Sequence, residues 1–173
     1  MKENKMLNYI EAVLENMPSA WLNLTTHRLD IYTEKLAKKE FLEQFETLFH
    51  ANTYEPSALN ELPTAYDYIR LGHPLSCLLE WGIANLNRLK SENVISFSSQ
   101  TIPILAILRT NLLANKNTQI VYTGELPSCF DAEIVQSIYE YQFDLKRVES
   151  VNEVSEFDGS TIFISKKDKI STL

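Results

Sequence analysis

The chain has 173 residues, with 16 Lys and Arg against 23 Asp and Glu, for a net charge of −7. Hydrophobic residues make up 45% and charged residues 23%, the balance of a globular domain that can bury a core without metals or disulfides. An acidic chain with no dense basic stripe argues against nucleic acid or an anionic membrane as partner, and no apolar run approaches the ~20 residues of a membrane span. The opening MKENKMLNYIEAVLENM lacks a continuous apolar core and a small-residue cleavage site, so no signal peptide is expected. Cys77 and Cys129 match no metal or redox spacing and read as reduced thiols of a cytoplasmic protein. Only four glycines occur, few for a backbone wrapped around a phosphate.

In chain order, Met6, Leu7, Ile10, Val13, Leu14 and Met17 recur at helical spacing, and Pro18 ends the run. A second helical stretch offers Leu29, Ile31, Tyr32 and Leu36. A third offers Phe41, Leu42, Phe45, Leu48 and Phe49, with Glu40, Glu43 and Glu46 facing out. Two prolines mark 52–63 as a connector. Beyond it a helix is expected over 76–89, with Leu78, Leu79, Ile83 and Leu86 inward. A short buried strand follows over 94–97 (VISF), then a helix over 101–114 carrying Ile102, Leu105, Leu108, Leu112 and Leu113. Strands are expected at 119–122, 145–148 and 161–164. A helix over 131–141, with Ile134, Val135 and Ile138 on one face, and a short one within 151–157 lie between them. This alternation predicts an α/β fold with a mainly parallel sheet. The domains are a helical region, 1–58, and an α/β region, 64–173.

The most informative stretch is 68–100, YIRLGHPLSCLLEWGIANLNRLKSENVISFSSQ. Tyr68, Arg70, Gly72 and Pro74 fall in register with a Tyr-x-Arg-x-Gly-Asn-Pro-Thr segment, followed by Leu79, Glu80, Ala84 and Leu86 on the next helix. Phe97, Ser98 and Ser99 then fit the start of a Ser-Ser-Gly turn. On these residues the chain resembles the fold-type I pyridoxal-phosphate enzymes of cysteine and methionine metabolism, the transsulfuration family, over roughly 64–165. The resemblance implies a partial, mainly parallel three-layer sheet like the large domain of those transferases. It also implies a phosphate cradle. Arg70 would supply a planar bidentate donor and Tyr68 a hydroxyl. The turn Ser98-Ser99-Gln100 would aim backbone N–H groups and a helix N-terminus at the anion.

Departures weigh against a working site. Gln100 stands where the family has the glycine that lets backbone approach the phosphate. His73 replaces an asparagine and reads as a solvated or capping group. Pro127 falls where the family stacks an aromatic ring on the cofactor, and Tyr122 reads as core. The family's pyridine-pairing aspartate and Schiff-base lysine would lie beyond residue 173. Lys166, Lys167 and Lys169 come too early for that lysine and read as a solvated tail. An isolated 94–97 strand would leave backbone groups unpaired. It must join the other strands directly, be covered by the helical region, or meet a strand from a partner. A plainer reading of Tyr68 and Arg70 is that they fix the start of a helix, with Arg70 paired to Glu80 or another acid.

His27, His50 and His73 show no metal spacing, and no hydrolase, nucleotide-binding or Walker motif occurs. Cys129, between a strand and a helix, lacks a placed base. The expectation is therefore a degenerate, non-catalytic relative of the transsulfuration enzymes, truncated before the catalytic residues. It would serve as an interaction or scaffold module with a protein partner or by self-association. No cofactor is expected, pyridoxal phosphate entering by resemblance alone. The alternatives are half of a split pyridoxal-phosphate lyase or transferase, completed by another chain, and a small phosphometabolite-binding domain using Arg70, Tyr68 and the Ser98-Ser99 turn.

Overall fold

The computed structural model describes residues 2–23, 37–64 and 73–166. The expected helical stretch around Leu29–36, the motif residues Tyr68 and Arg70, and Lys167 and Lys169 lie outside the described residues. The chain divides into two compact units, one reaching Ser96 and the other running from Phe97.

The first unit is helical. Helix α1 (Lys2–Asn16) stops just before Met17-Pro18, because the residue preceding proline is pushed out of helical geometry. Helix α2 (Ala37–Ala51) buries Phe41, Leu42 and Phe45 and turns Glu43 and Glu46 to solvent, as its spacing predicts. The connector is not free of structure. It holds a short helix α3 (Pro56–Asn60), and Leu59 and Leu62 anchor it in the core. Helix α4 (Pro74–Leu86) packs against both α1 and α2. It starts two residues earlier than expected and ends three earlier. Its inward face is Cys77, Leu78, Trp81 and Ala84, while Leu79 is exposed. Aromatic rings fill the centre. Phe45 lies edge-on to Trp81 at 5.2 Å, tilted on Tyr9 at 5.7 Å and stacked on Phe41 at 6.0 Å. Two polar tips are satisfied at the margin: Tyr9 Oη donates to the Thr53 carbonyl at 2.7 Å, and Trp81 Nε1 donates to Glu46 Oε1 at 2.9 Å.

The second unit is α/β. Helix α5 (Ile102–Leu113) leads into β1 (Thr118–Tyr122), helix α6 (Ala132–Ser137) into β2 (Asp144–Arg147), and a single 3-10 turn into β3 (Ser160–Ile164). The three strands form one parallel sheet in the order β2-β1-β3, with Ile120 between Leu145 and Ile162. Ile104 and Leu108 of α5 and Val135 of α6 share one apolar cluster with Ile120 and Ile162. Asn111 is buried among them because its Nδ2 donates to Thr118 Oγ1 at 2.9 Å.

Segment 94–97 is not a buried strand: it forms no ladder, and Ile95 is 68% exposed. Helix α5 is apolar on nearly every face, so periodicity could not choose its inward side. Ile104 and Leu108 face the core, whereas Ile102, Leu112 and Leu113 are exposed.

Gly159 marks a close approach. A Cβ there would press on the Asn117 carbonyl oxygen and come within 2.7 Å of Phe157 Cε1. Ser160 N–H donates to that same carbonyl at 2.8 Å, which seats β3 against the start of β1. Gly159→Ala is expected to destabilise the protein by about 1–3 kcal/mol, read from the urea midpoint. A neutral change would mean that the Asn117 carbonyl moves aside without loss of the ladder.

Candidate functional site

The turn at 98–100 is the part of the expected cradle that can be examined. It precedes α5, whose N-terminal amides are the anion donors the resemblance calls for. The first two of the amides at this end already have a partner. Ser99 Oγ accepts from Thr101 N–H and Ile102 N–H at 3.3 Å each and lies 3.2 Å from Thr101 Oγ1. The next residue is Pro103, which carries no N–H. Gln100 is exposed. A phosphate using the Thr101 and Ile102 amides would have to displace Ser99, which in the turn as folded caps both. Pro127, at the family's ring-stacking position, has its carbonyl tied to Phe130 N–H at 2.8 Å in a tight turn, and Phe130 is buried against Phe143.

His73 is a helix cap, and it is buried rather than solvated. Its Nδ1 accepts from Leu75 N–H at 3.2 Å, so the other ring nitrogen carries the proton and donates to the Asn23 carbonyl at 2.9 Å. An asparagine could make the first bond but is too short for both.

The most elaborate polar constellation lies just before the turn, and sequence reasoning missed it. Lys38 of α2 points its Nζ at three acceptors: the Ser91 and Val94 carbonyls at 2.7 Å each, and Glu80 Oε2 of α4 at 2.6 Å. Glu80 Oε1 in turn accepts from Ser96 N–H at 2.6 Å and Ser96 Oγ at 2.8 Å. All three ammonium protons and both carboxylate oxygens are engaged. The Glu80 side chain is 8% exposed. This clamp holds 94–97 without a sheet partner: helix side chains take the Val94 carbonyl and the Ser96 N–H. Glu80 belongs to the matched helix motif, but its ion-pair partner is Lys38, 42 positions earlier in the chain, and no spacing rule reveals that pairing.

Cys77 lies one turn from Glu80. Burial pushes its thiol up to about 12, with Glu80 adding to the shift and Lys38 opposing it. It is a packing residue, not a nucleophile. Burial, and then Glu55, push the Tyr9 hydroxyl up to about 12 as well. Both groups are neutral when protonated and both are raised, so their contribution is intact below the unfolded values of 9.0 and 10.0. It is lost as pH rises toward 12, because the unfolded chain releases those protons first. Urea midpoints are expected to fall with pH above about 9, and Cys77→Ala should flatten the early part of that fall. An unchanged slope in Cys77→Ala would remove the thiol from this account.

A cavity of about 500 Å³ opens at the amino ends of β1 and β2, lined by Leu108, Leu112, Asn117, Tyr141, Phe143 and Phe157 among others. Among the described residues, none of the expected site residues lines it. It is also at the opposite end of the sheet from the carboxyl-end crevice where open α/β sheets bind ligands. Among the described residues, no group of three or more His, Cys, Asp or Glu could hold a metal ion, and no helix is long and apolar enough to cross a membrane. Cys77 and Cys129 are both free thiols, the first buried and the second exposed. Comparison with protein-family models, curated proteins and solved structures finds no match to the chain.

Proposed function

We propose that the chain is a non-catalytic protein-interaction or scaffold module of the cytoplasm, related in descent to the pyridoxal-phosphate transferases through 64–165. The observation that carries this reading is α5. The helix is apolar over most of its surface, broken by Arg109, Thr110 and Asn111, yet Ile102 is 51% and Leu113 71% exposed. Eleven residues separate the two, close to three helical turns, so they lie on one stripe, with the exposed Arg109 between them. Exposed apolar residues grouped on one helix face and edged by polar ones are the kind of surface that proteins use for binding. The self-capped turn at Ser99 supports the non-catalytic half of the reading. It also weakens both alternatives, since a split lyase or transferase and a phosphometabolite domain each need a phosphate at that turn.

The test is affinity purification of the tagged full chain beside its Ile102→Glu/Leu113→Glu variant. Neither residue belongs to the buried core, so the melt should be unchanged. The variant is expected to lose its co-purifying protein. Identical partners in both proteins would overturn the assignment to α5.

A further inference from the structure

We infer that the outer edge of β3 is a self-association site, where a second copy of this chain lays its own β3 antiparallel and joins two three-stranded sheets into one. This rests on the interaction-module reading and names its partner.

The edge is defined by the ladder. Ser160 N–H donates to Asn117 and the Ile164 carbonyl accepts from Thr123, so residues 160 and 164 direct their backbone groups toward β1. Alternation along the strand then turns the N–H and C=O of Thr161 and Phe163 outward. Among the described residues, no turn, loop or side-chain bond uses these four groups. The side chains beside them are open, Phe163 being 37% exposed and Thr161 exposed.

Charge chooses between the two edges. On β2, the residues directed outward are Leu145 and Arg147, since Val148 N–H returns to Tyr122. Pairing β2 with its own copy about a two-fold axis would set Lys146 directly opposite Lys146 of the second copy. A cation on an edge strand is a common guard against such pairing. β3 has no such guard: Ser160–Ile164 carries no charge. The same two-fold operation there sets Ile162 opposite its own copy, and Thr161 opposite Phe163 on both sides of the axis. Thr161 and Phe163 would exchange both backbone bonds twice, using all four outward groups. One surface serves both partners, as an isologous dimer requires.

The test is sedimentation velocity of the full chain across a wide concentration range, beside Phe163→Pro and Phe163→Lys. Proline at 163 removes only an outward donor and leaves the β1–β3 ladder intact. Lysine leaves the backbone unaltered and guards the edge, so it also covers the case in which the proline variant does not fold. The wild-type mass is expected to rise toward twice the 19.9 kDa of one chain. Phe163→Pro should remain a monomer, and Phe163→Lys should dissociate at least about ten-fold more readily, since both Thr161–Phe163 pairs are lost and the two new cations lie diagonally across the axis. A wild-type chain that stays monomeric throughout, or a dimer unaffected in both variants, overturns the proposal. A dimer lost in Ile102→Glu/Leu113→Glu but kept in both Phe163 variants overturns the β3 edge while sustaining the module reading on α5.

Discussion

Glu80→Ala is expected to cost about 3 kcal/mol, the lower part of the range for breaking a buried ion pair by removing one partner. The lower part applies because Lys38 keeps 27% of its side chain in contact with solvent. Three losses coincide. The Lys38 ammonium loses its counter-ion, Ser96 N–H and Oγ lose their acceptor, and the 91–96 segment loses one of its two attachments to the helices. Global stability from urea unfolding should fall, and exchange of the Ser96 amide should accelerate more than that of α1 amides. The double change Lys38→Met/Glu80→Leu should cost clearly less than the sum of its single changes, since it leaves neither charge unpaired. A Glu80→Ala cost below about 1 kcal/mol would place the pair with ordinary surface salt bridges.

Phe45→Ala is expected to cost about 3–5 kcal/mol, the range for truncating a large buried aromatic. The ring has no exposure and touches Tyr9, Phe41 and Trp81. Helices α1, α2 and α4 meet on it, so the void cannot close without moving all three. Phe45→Leu should recover much of the loss. Equal losses for Ala and Leu would mean that ring geometry, rather than volume, holds the cluster.

The legible elements were those with one strong period. Helices α1 and α2 alternate apolar and charged residues at helical spacing, and strands β1, β2 and β3 stand as short runs between turns. Helix ends were less legible, and the glycine count explains why. A helix commonly closes on a left-handed residue, usually glycine. This chain uses other residues there: Asn52, Arg88, Asn115 and Glu140 all have positive φ near 50–60° (56°, 57°, 51° and 59°). Without glycines to mark the stops, the helix expected over 76–89 ends at Leu86, and that expected over 131–141 ends at Ser137.

The misreading of 94–97 has a different origin. VISF has strand composition, and a strand needs partners for its backbone. Here the side chains of Lys38 and Glu80 take the Val94 carbonyl and the Ser96 N–H, a non-local arrangement that periodicity does not encode. The helical region does answer the unpaired segment, as one of the three anticipated outcomes required, but through an ion pair rather than by covering an edge. At the candidate site, bends at 98 and 100 precede α5, but the role of Ser99 is not legible in the sequence. Ser99 in a Ser-Ser turn reads equally as a phosphate ligand or a cap, and only the positions of the Thr101 and Ile102 amides separate the two.

The most direct test of a non-catalytic module is an absorbance spectrum and thermal melt of the purified chain across increasing pyridoxal phosphate. The self-capped turn predicts no cofactor band and no saturable shift, for the wild type and for Arg70→Ala alike. A saturable rise in Tm that disappears in Arg70→Ala would contradict it, and would show that a phosphate displaces Ser99 and that the cradle is still in use.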